Sequence, residues 1–119
     1  MIIKPEQYAQ IAVCHFARVH KIPFIHYANE RKCSHVYGQL LKKMGVVAGV
    51  VDCHLPKSND TYKDLWIELK ILPNKLTKLQ QTFMEERSNE GSYVCCCAGK
   101  TPKETADKAI EFISWFYGI

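Results

Sequence analysis

Gly49-Val50-Val51-Asp52, then Leu65-Trp66-Ile67-Glu68-Leu69-Lys70-Ile71, then Thr77-Lys78-Leu79-Gln80 decide how this chain is read. An acid closes one apolar run. A second acid and a lysine, one residue apart, interrupt another. Alternate side chains of a strand share a face, so Glu68 and Lys70 emerge side by side while Ile67, Leu69 and Ile71 point the other way. Fifteen residues separate Asp52 from Glu68. That is room for a hairpin whose loop draws its turn residues from Leu55-Pro56-Lys57-Ser58-Asn59-Asp60. Pairing the two strands antiparallel brings Asp52, Glu68 and Lys70 together. Two carboxylates and an ammonium in one place suit a hard divalent cation and an activated water. A Glu-x-Lys on a strand is more often a solvated face or a surface ion pair, and Asp52 by itself reads as a turn residue. The apolar flanks of Glu68 argue instead for a buried strand. A charged pair there costs several kcal/mol unless something compensates it, and a metal site is one such compensation.

Working outward, Pro5 opens a helix where its missing N–H costs nothing. Tyr8, Ile11, Ala12, His15, Phe16 and Val19 recur at helical spacing and predict one apolar stripe to about residue 20. Ile22-Pro23-Phe24-Ile25-His26-Tyr27 reads as a short strand with proline at its beginning. Residues 28–32 read as a loop and 34–43 as a helix ending before Gly45. Gly49 turns into a strand over 50–55. The strand over 66–71 is ended by Pro73-Asn74. Thr77 and Gln80 form a capping box for a helix to about residue 89, with Gly91 as its stop. Residues 92–98 are apolar on both faces, the pattern of a central strand. Thr101-Pro102-Lys103-Glu104 caps the last helix, whose stripe is Ala106, Ala109, Ile110, Ile113, Phe116 and Tyr117. The strand–helix–strand unit over 65–98 predicts a parallel crossover, and the whole predicts a mixed α/β sheet flanked by helices with a site at one end of its central strands.

The chain has 119 residues, enough for a single domain over 1–119 and too few for two cores. With 47% hydrophobic and 24% charged residues, wholesale disorder is excluded. The net charge of +4 is unevenly spread: Arg18, Lys21, Arg31, Lys32, Lys42 and Lys43 face one acid, Glu30, between His15 and Lys43, a net +5 in a segment holding four of the five histidines. A basic lobe beside carboxylates fits a polyanionic substrate; a solvated helix face explains the charge equally well. No apolar run reaches the ~20 residues of a membrane span, and the start lacks a signal-peptide core. The six cysteines show no Cys-x-x-Cys and no paired histidine spacing. They read as small buried apolar residues in a reducing cytoplasm.

Taken in order, Gly49 to Asp52, Glu68-Leu69-Lys70 and Leu76-Thr77-Lys78-Leu79-Gln80-Gln81-Thr82-Phe83 resemble the virus-type replication-repair nuclease (VRR-NUC) domain of the PD-(D/E)xK superfamily. Glu6 and Gln10 match its first helix, residues 24–31 its segment around a His and an Asn, and residues 41–46 its lead-in to the acidic motif. Val51 stands where a proline often precedes the aspartate, and residues 57–63 form an extra polar loop. The resemblance covers nearly the whole chain and implies a restriction-endonuclease-like fold. It further implies a metal-dependent, structure-specific DNA endonuclease of the Holliday-junction-resolvase kind, acting on branched DNA in the cytoplasm of a bacterial or phage-infected cell. One domain carries one carboxylate cluster, so two coordinated nicks at a junction predict a homodimer with two-fold symmetry. By the same resemblance Asp52, Glu68 and the Leu69 carbonyl would bind Mg²⁺ or Mn²⁺, and Lys70 would orient or help deprotonate the attacking water. Glu6 would hold a second metal or its water, Gln80 would join the active site, and His26, Asn29, Arg31 and Lys32 would contact DNA. Two of these have structural explanations of their own. Glu6 suits the first-turn helix dipole, and Gln80 is accounted for by the capping box. Trp115, Phe116, Tyr117, Phe24 and Tyr27 suit either an interface or the monomer core. The competing readings are a non-catalytic nucleic-acid-binding module of the same fold and a structural protein with a buried ion-pair network.

Overall fold

In the computed structural model, which describes residues 2–27, 34–45 and 49–119, helices and strands follow in the order the sequence predicts. They are α1 (Pro5–Val19), β1 (Ile25–His26), α2 (His35–Lys43), β2 (Cys53–Leu55), β3 (Leu65–Ile71), α3 (Lys78–Asn89), β4 (Tyr93–Gly99) and α4 (Pro102–Tyr117). The strands make one sheet, β1-β2-β3-β4. The β1/β2 and β2/β3 pairs are antiparallel, and β3/β4 is parallel, so the expected mixed sheet and parallel crossover are both present.

Strand β3 divides the molecule. Leu65, Ile67 and Leu69 are fully buried on one face, against Cys53, Leu55, Cys97 and the helices α1 and α4. Side chains of this kind each contribute about 1.5–3 kcal/mol on burial. Trp66 points to the other face and packs with Val51, Met84, Phe83 and Val94 under α3. Further along that second face come Glu68 and Lys70.

The helix starts are set by local hydrogen bonds. Thr77 Oγ1 accepts from Gln80 N (3.1 Å) while Gln80 Oε1 accepts from Thr77 N (3.0 Å), the reciprocal box read from the sequence. Thr101 Oγ1 accepts from Glu104 N (3.1 Å) and the Glu104 carboxylate accepts from Lys100 N (3.2 Å), with Pro102 at the first turn.

Several expectations are corrected. The buried face of α1 is Ala9, Val13 and Ala17 with half-buried Phe16, whereas Tyr8, Ile11 and Val19 are 54%, 58% and 61% exposed. α1 packs against α4 and β3, and such close packing selects small side chains over the bulkier stripe. β4 is not a central strand: among the described residues it ends the sheet order. Its two-faced apolarity arises because α3 and α4 both pack against it, a cover that sequence pattern cannot separate from strand neighbours. β1 and β2 are shorter than the predicted 22–27 and 50–55. Of the cysteines, Cys53 and Cys97 are buried as expected, but Cys14 and Cys95 are half-buried and Cys96 is exposed. Phe116 completes the core, while Trp115 stays 63% exposed. No described helix is long and apolar enough to cross a membrane.

Candidate active site

Asp52 stands one residue before β2, opposite Glu68 and Leu69 of β3. Its backbone N–H donates to Glu68 Oε1 (2.9 Å), and its Oδ2 accepts from the backbone N–H of Leu69 (3.2 Å). Lys70 Nζ lies 3.3 Å from Glu68 Oε2, with side-chain exposures of 11% and 2%. The three side chains predicted to meet therefore do meet, and they are largely buried where they do. Burial pushes the Glu68 carboxyl above its ordinary value of 4.5, against the opposing pull of Lys70 and of the Asp52 hydrogen bonds. A carboxylate buried in this way is costly to keep charged unless its neighbours compensate it.

Two neighbours fix this geometry. Thr105 of α4, itself fully buried, donates from Oγ1 to the Lys70 carbonyl (2.9 Å). Nothing in the sequence flags this residue; it reads only as one more position of the first turn of α4. Gly49 has φ +86°, and a Cβ there would lie 2.6 Å from Leu79 Cβ and 2.7 Å from the Leu79 carbonyl carbon. The glycine therefore lets α3 close down on the segment that carries Asp52. Gly49→Ala should lower the melting temperature by on the order of 10 °C, since the positive φ alone costs about 1–2 kcal/mol and the overlap with Leu79 adds to it. A thermal melt within 2 °C or so of wild type, on that same scale, would contradict this account of Gly49.

All five residues assigned to catalysis, Asp52, Glu68, Lys70, Glu6 and Gln80, line one cavity of about 300 Å³. Glu6 Oε1 accepts from Asn74 Nδ2 (3.2 Å), which ties the start of α1 to the turn after β3. Gln80 spends its side-chain oxygen on Thr77 N, so its NH₂ is the donor left for the cavity. His26 lies in β1, within the strand the sequence predicts, with Nδ1 3.0 Å from the Asp52 carbonyl, to which it donates when that nitrogen is protonated. Asn29, Arg31 and Lys32 lie outside the described residues. An aromatic stack that the sequence did not reveal supports the same strands: His54 lies 3.8 Å from Trp66 at 7°, and Tyr27 stacks on Trp66 at 5.7 Å. His54 Nε2 also pairs with Asp64 Oδ2 at 2.8 Å.

Among the described residues no group of three or more His, Cys, Asp or Glu is placed to hold a metal. Asp52 and Glu68 do offer two carboxylates. The Leu69 N–H points at Asp52, and in an extended strand the carbonyl of the same residue faces the same way. Two carboxylates, a carbonyl and open space fit Mg²⁺ or Mn²⁺, which keep several waters and take one or two protein carboxylates. Zinc more often draws on thiolate and imidazole ligands.

No family model and no curated protein sequence matches the chain. A solved structure described as a "VRR_NUC domain protein" superposes on it with a TM-score of 0.76, covering 98% of this chain and 90% of its own at 21% identity. The chain has a VRR-NUC-like, nuclease-type fold. At that identity the likeness defines the fold, and the chemistry rests on the residues themselves.

Proposed function

We propose that this chain is a Mg²⁺- or Mn²⁺-dependent endodeoxyribonuclease that hydrolyses phosphodiester bonds in branched DNA such as four-way junctions, working as a homodimer in a reducing cytoplasm. The observation that carries this reading is the buried Asp52–Glu68–Lys70 cluster opening onto a cavity. A divalent cation held by Asp52, Glu68 and the Leu69 carbonyl supplies charge screening at the phosphate and Lewis-acid activation of water. Asp52 and Glu68 are pre-positioned for this, because each is pinned by a backbone N–H of the facing segment. Lys70 orients the attacking water and offsets charge on the phosphate. The Gln80 NH₂ donates to a phosphate oxygen from the cavity wall. Glu6, which lines the same cavity, would hold a second cation or its water. Lys42 and Lys43, in the last turn of α2, join Arg31 and Lys32 in attracting the DNA backbone, the source of most of the affinity.

The test of the substrate is to map cuts on a labelled four-way junction and on its linear arms, with Mg²⁺, Mn²⁺ and EDTA. Paired cuts symmetric about the branch point, absent in EDTA, are expected. Equal nicking of linear duplex by a monomer would overturn the branched-DNA reading.

A further inference from the structure

In a parallel pair, alternate residues of a strand turn both backbone groups toward the partner strand. At one end of β4 the Tyr93 N–H donates to the Asp64 carbonyl (3.0 Å), and at the other the Gly99 carbonyl accepts from Leu72 N (2.8 Å). With the register running from Leu65↔Tyr93 to Ile71↔Gly99, Tyr93, Cys95, Cys97 and Gly99 face β3. Val94, Cys96 and Ala98 therefore turn their N–H and C=O groups away from the sheet. Among the described residues no strand pairs with that side. Among those residues the contact that reaches it is Lys108 Nζ, 2.7 Å from the Ala98 carbonyl and 3.6 Å from Glu104 Oε1. Tyr93–Gly99 contains no charge and no proline. Sheet edges are ordinarily blunted by such residues or by bulges, and here a single lysine is the guard.

The open groups are self-complementary about Cys96, whose N–H and C=O both point outward. A two-fold axis passing beside Cys96, perpendicular to the sheet, lays a second β4 antiparallel to the first, so that each Cys96 exchanges two hydrogen bonds with its mate. We infer that the outer edge of β4 is where two copies of this chain join, extending each four-stranded sheet into the other. α4 is placed to take part. It lies over both β3 and β4, and next to the edge it presents Lys108, Glu111 and Trp115 beside Tyr93 and Phe112. The same axis sets α4 antiparallel to its mate, covers the exposed Trp115 and matches Lys108 with the opposite charge of Glu111, one turn away. The pairing stands without any assumption about chemistry. Its use rests on the nuclease reading: the two Glu68 side chains emerge on one face of the joined sheet, three strand spacings or about 14 Å apart, related by the symmetry that paired cuts require.

Sedimentation of the wild-type protein at tens of micromolar, without DNA or metal, should give a dimer. Cys96→Pro removes only an outward N–H and suits an edge strand. It should keep the circular dichroism of the wild type and weaken the dimer roughly thirtyfold, because two backbone hydrogen bonds are lost. Trp115→Glu supplies the same reading should the proline variant not fold. The axis also brings the two Cys96 Cα atoms to about 5.5 Å, so a short bis-maleimide should link wild-type chains through Cys96 and fail with Cys96→Ser. A monomeric wild type overturns the inference, as does a dimer that neither variant weakens or that does not cross-link at Cys96. A dimer that meets these tests but cuts no DNA would leave the interface standing and remove the nuclease reading.

Discussion

Glu68→Ala brings DNA cleavage to background and leaves DNA affinity nearly unchanged. Glu68 is 1% exposed and touches Asp52 and Lys70 rather than the surface, so it contributes little to the Lys and Arg contacts that supply most DNA affinity. Its loss removes one of two carboxylates and leaves Lys70 without its 3.3 Å partner. Breaking a buried pair of this kind costs about 3–5 kcal/mol, so the fold has to be checked by circular dichroism. Glu68→Gln, which keeps an acceptor for the Asp52 N–H, serves as the companion variant. Single-turnover cleavage and fluorescence anisotropy on the same DNA separate the two effects. Undiminished cleavage by a folded Glu68→Ala protein would end the catalytic assignment.

Lys70→Ala lowers the cleavage rate at saturating DNA by about 10²–10⁴-fold, the range expected for loss of a positioned proton-handling group. Binding should change little, because the Lys70 side chain is only 11% exposed and is aimed at Glu68. A clamp on the DNA backbone would instead sit at the surface. A variant that loses affinity but keeps its saturated rate would make Lys70 such a clamp.

The centre of the molecule was legible in the sequence because period-2 patterning is a local property. Leu65 to Ile71 alternates in a way that both places Glu68 and Lys70 on one face and buries Ile67 and Leu69 on the other. The caps at Thr77 and Thr101 were legible for the same reason, since their partners lie three residues away. What the sequence hides depends on distant neighbours. Bulk predicts the wrong face of α1, whose contact with α4 admits Ala9, Val13 and Ala17. The pattern of β4 predicts a central strand, although its apolar faces are covered by helices while its backbone edge is open among the described residues. Thr105, which braces the Lys70 carbonyl across thirty-five positions of chain, carries no local signal at all. The aromatic stack of Tyr27, His54 and Trp66 was hidden likewise, because it is assembled by strand register and not by spacing along any one segment.

The central claim is that the buried carboxylate pair exists to hold a cation that cuts DNA, and not merely to pair with Lys70. The direct measurement is cleavage of a uniformly labelled DNA by protein stripped with EDTA, before and after Mn²⁺ is added back. The account predicts no cleavage by the stripped protein, full recovery with Mn²⁺, and no recovery for Glu68→Ala under the same conditions. Cleavage that persists in EDTA, or that Mn²⁺ restores equally to wild type and Glu68→Ala, would contradict it.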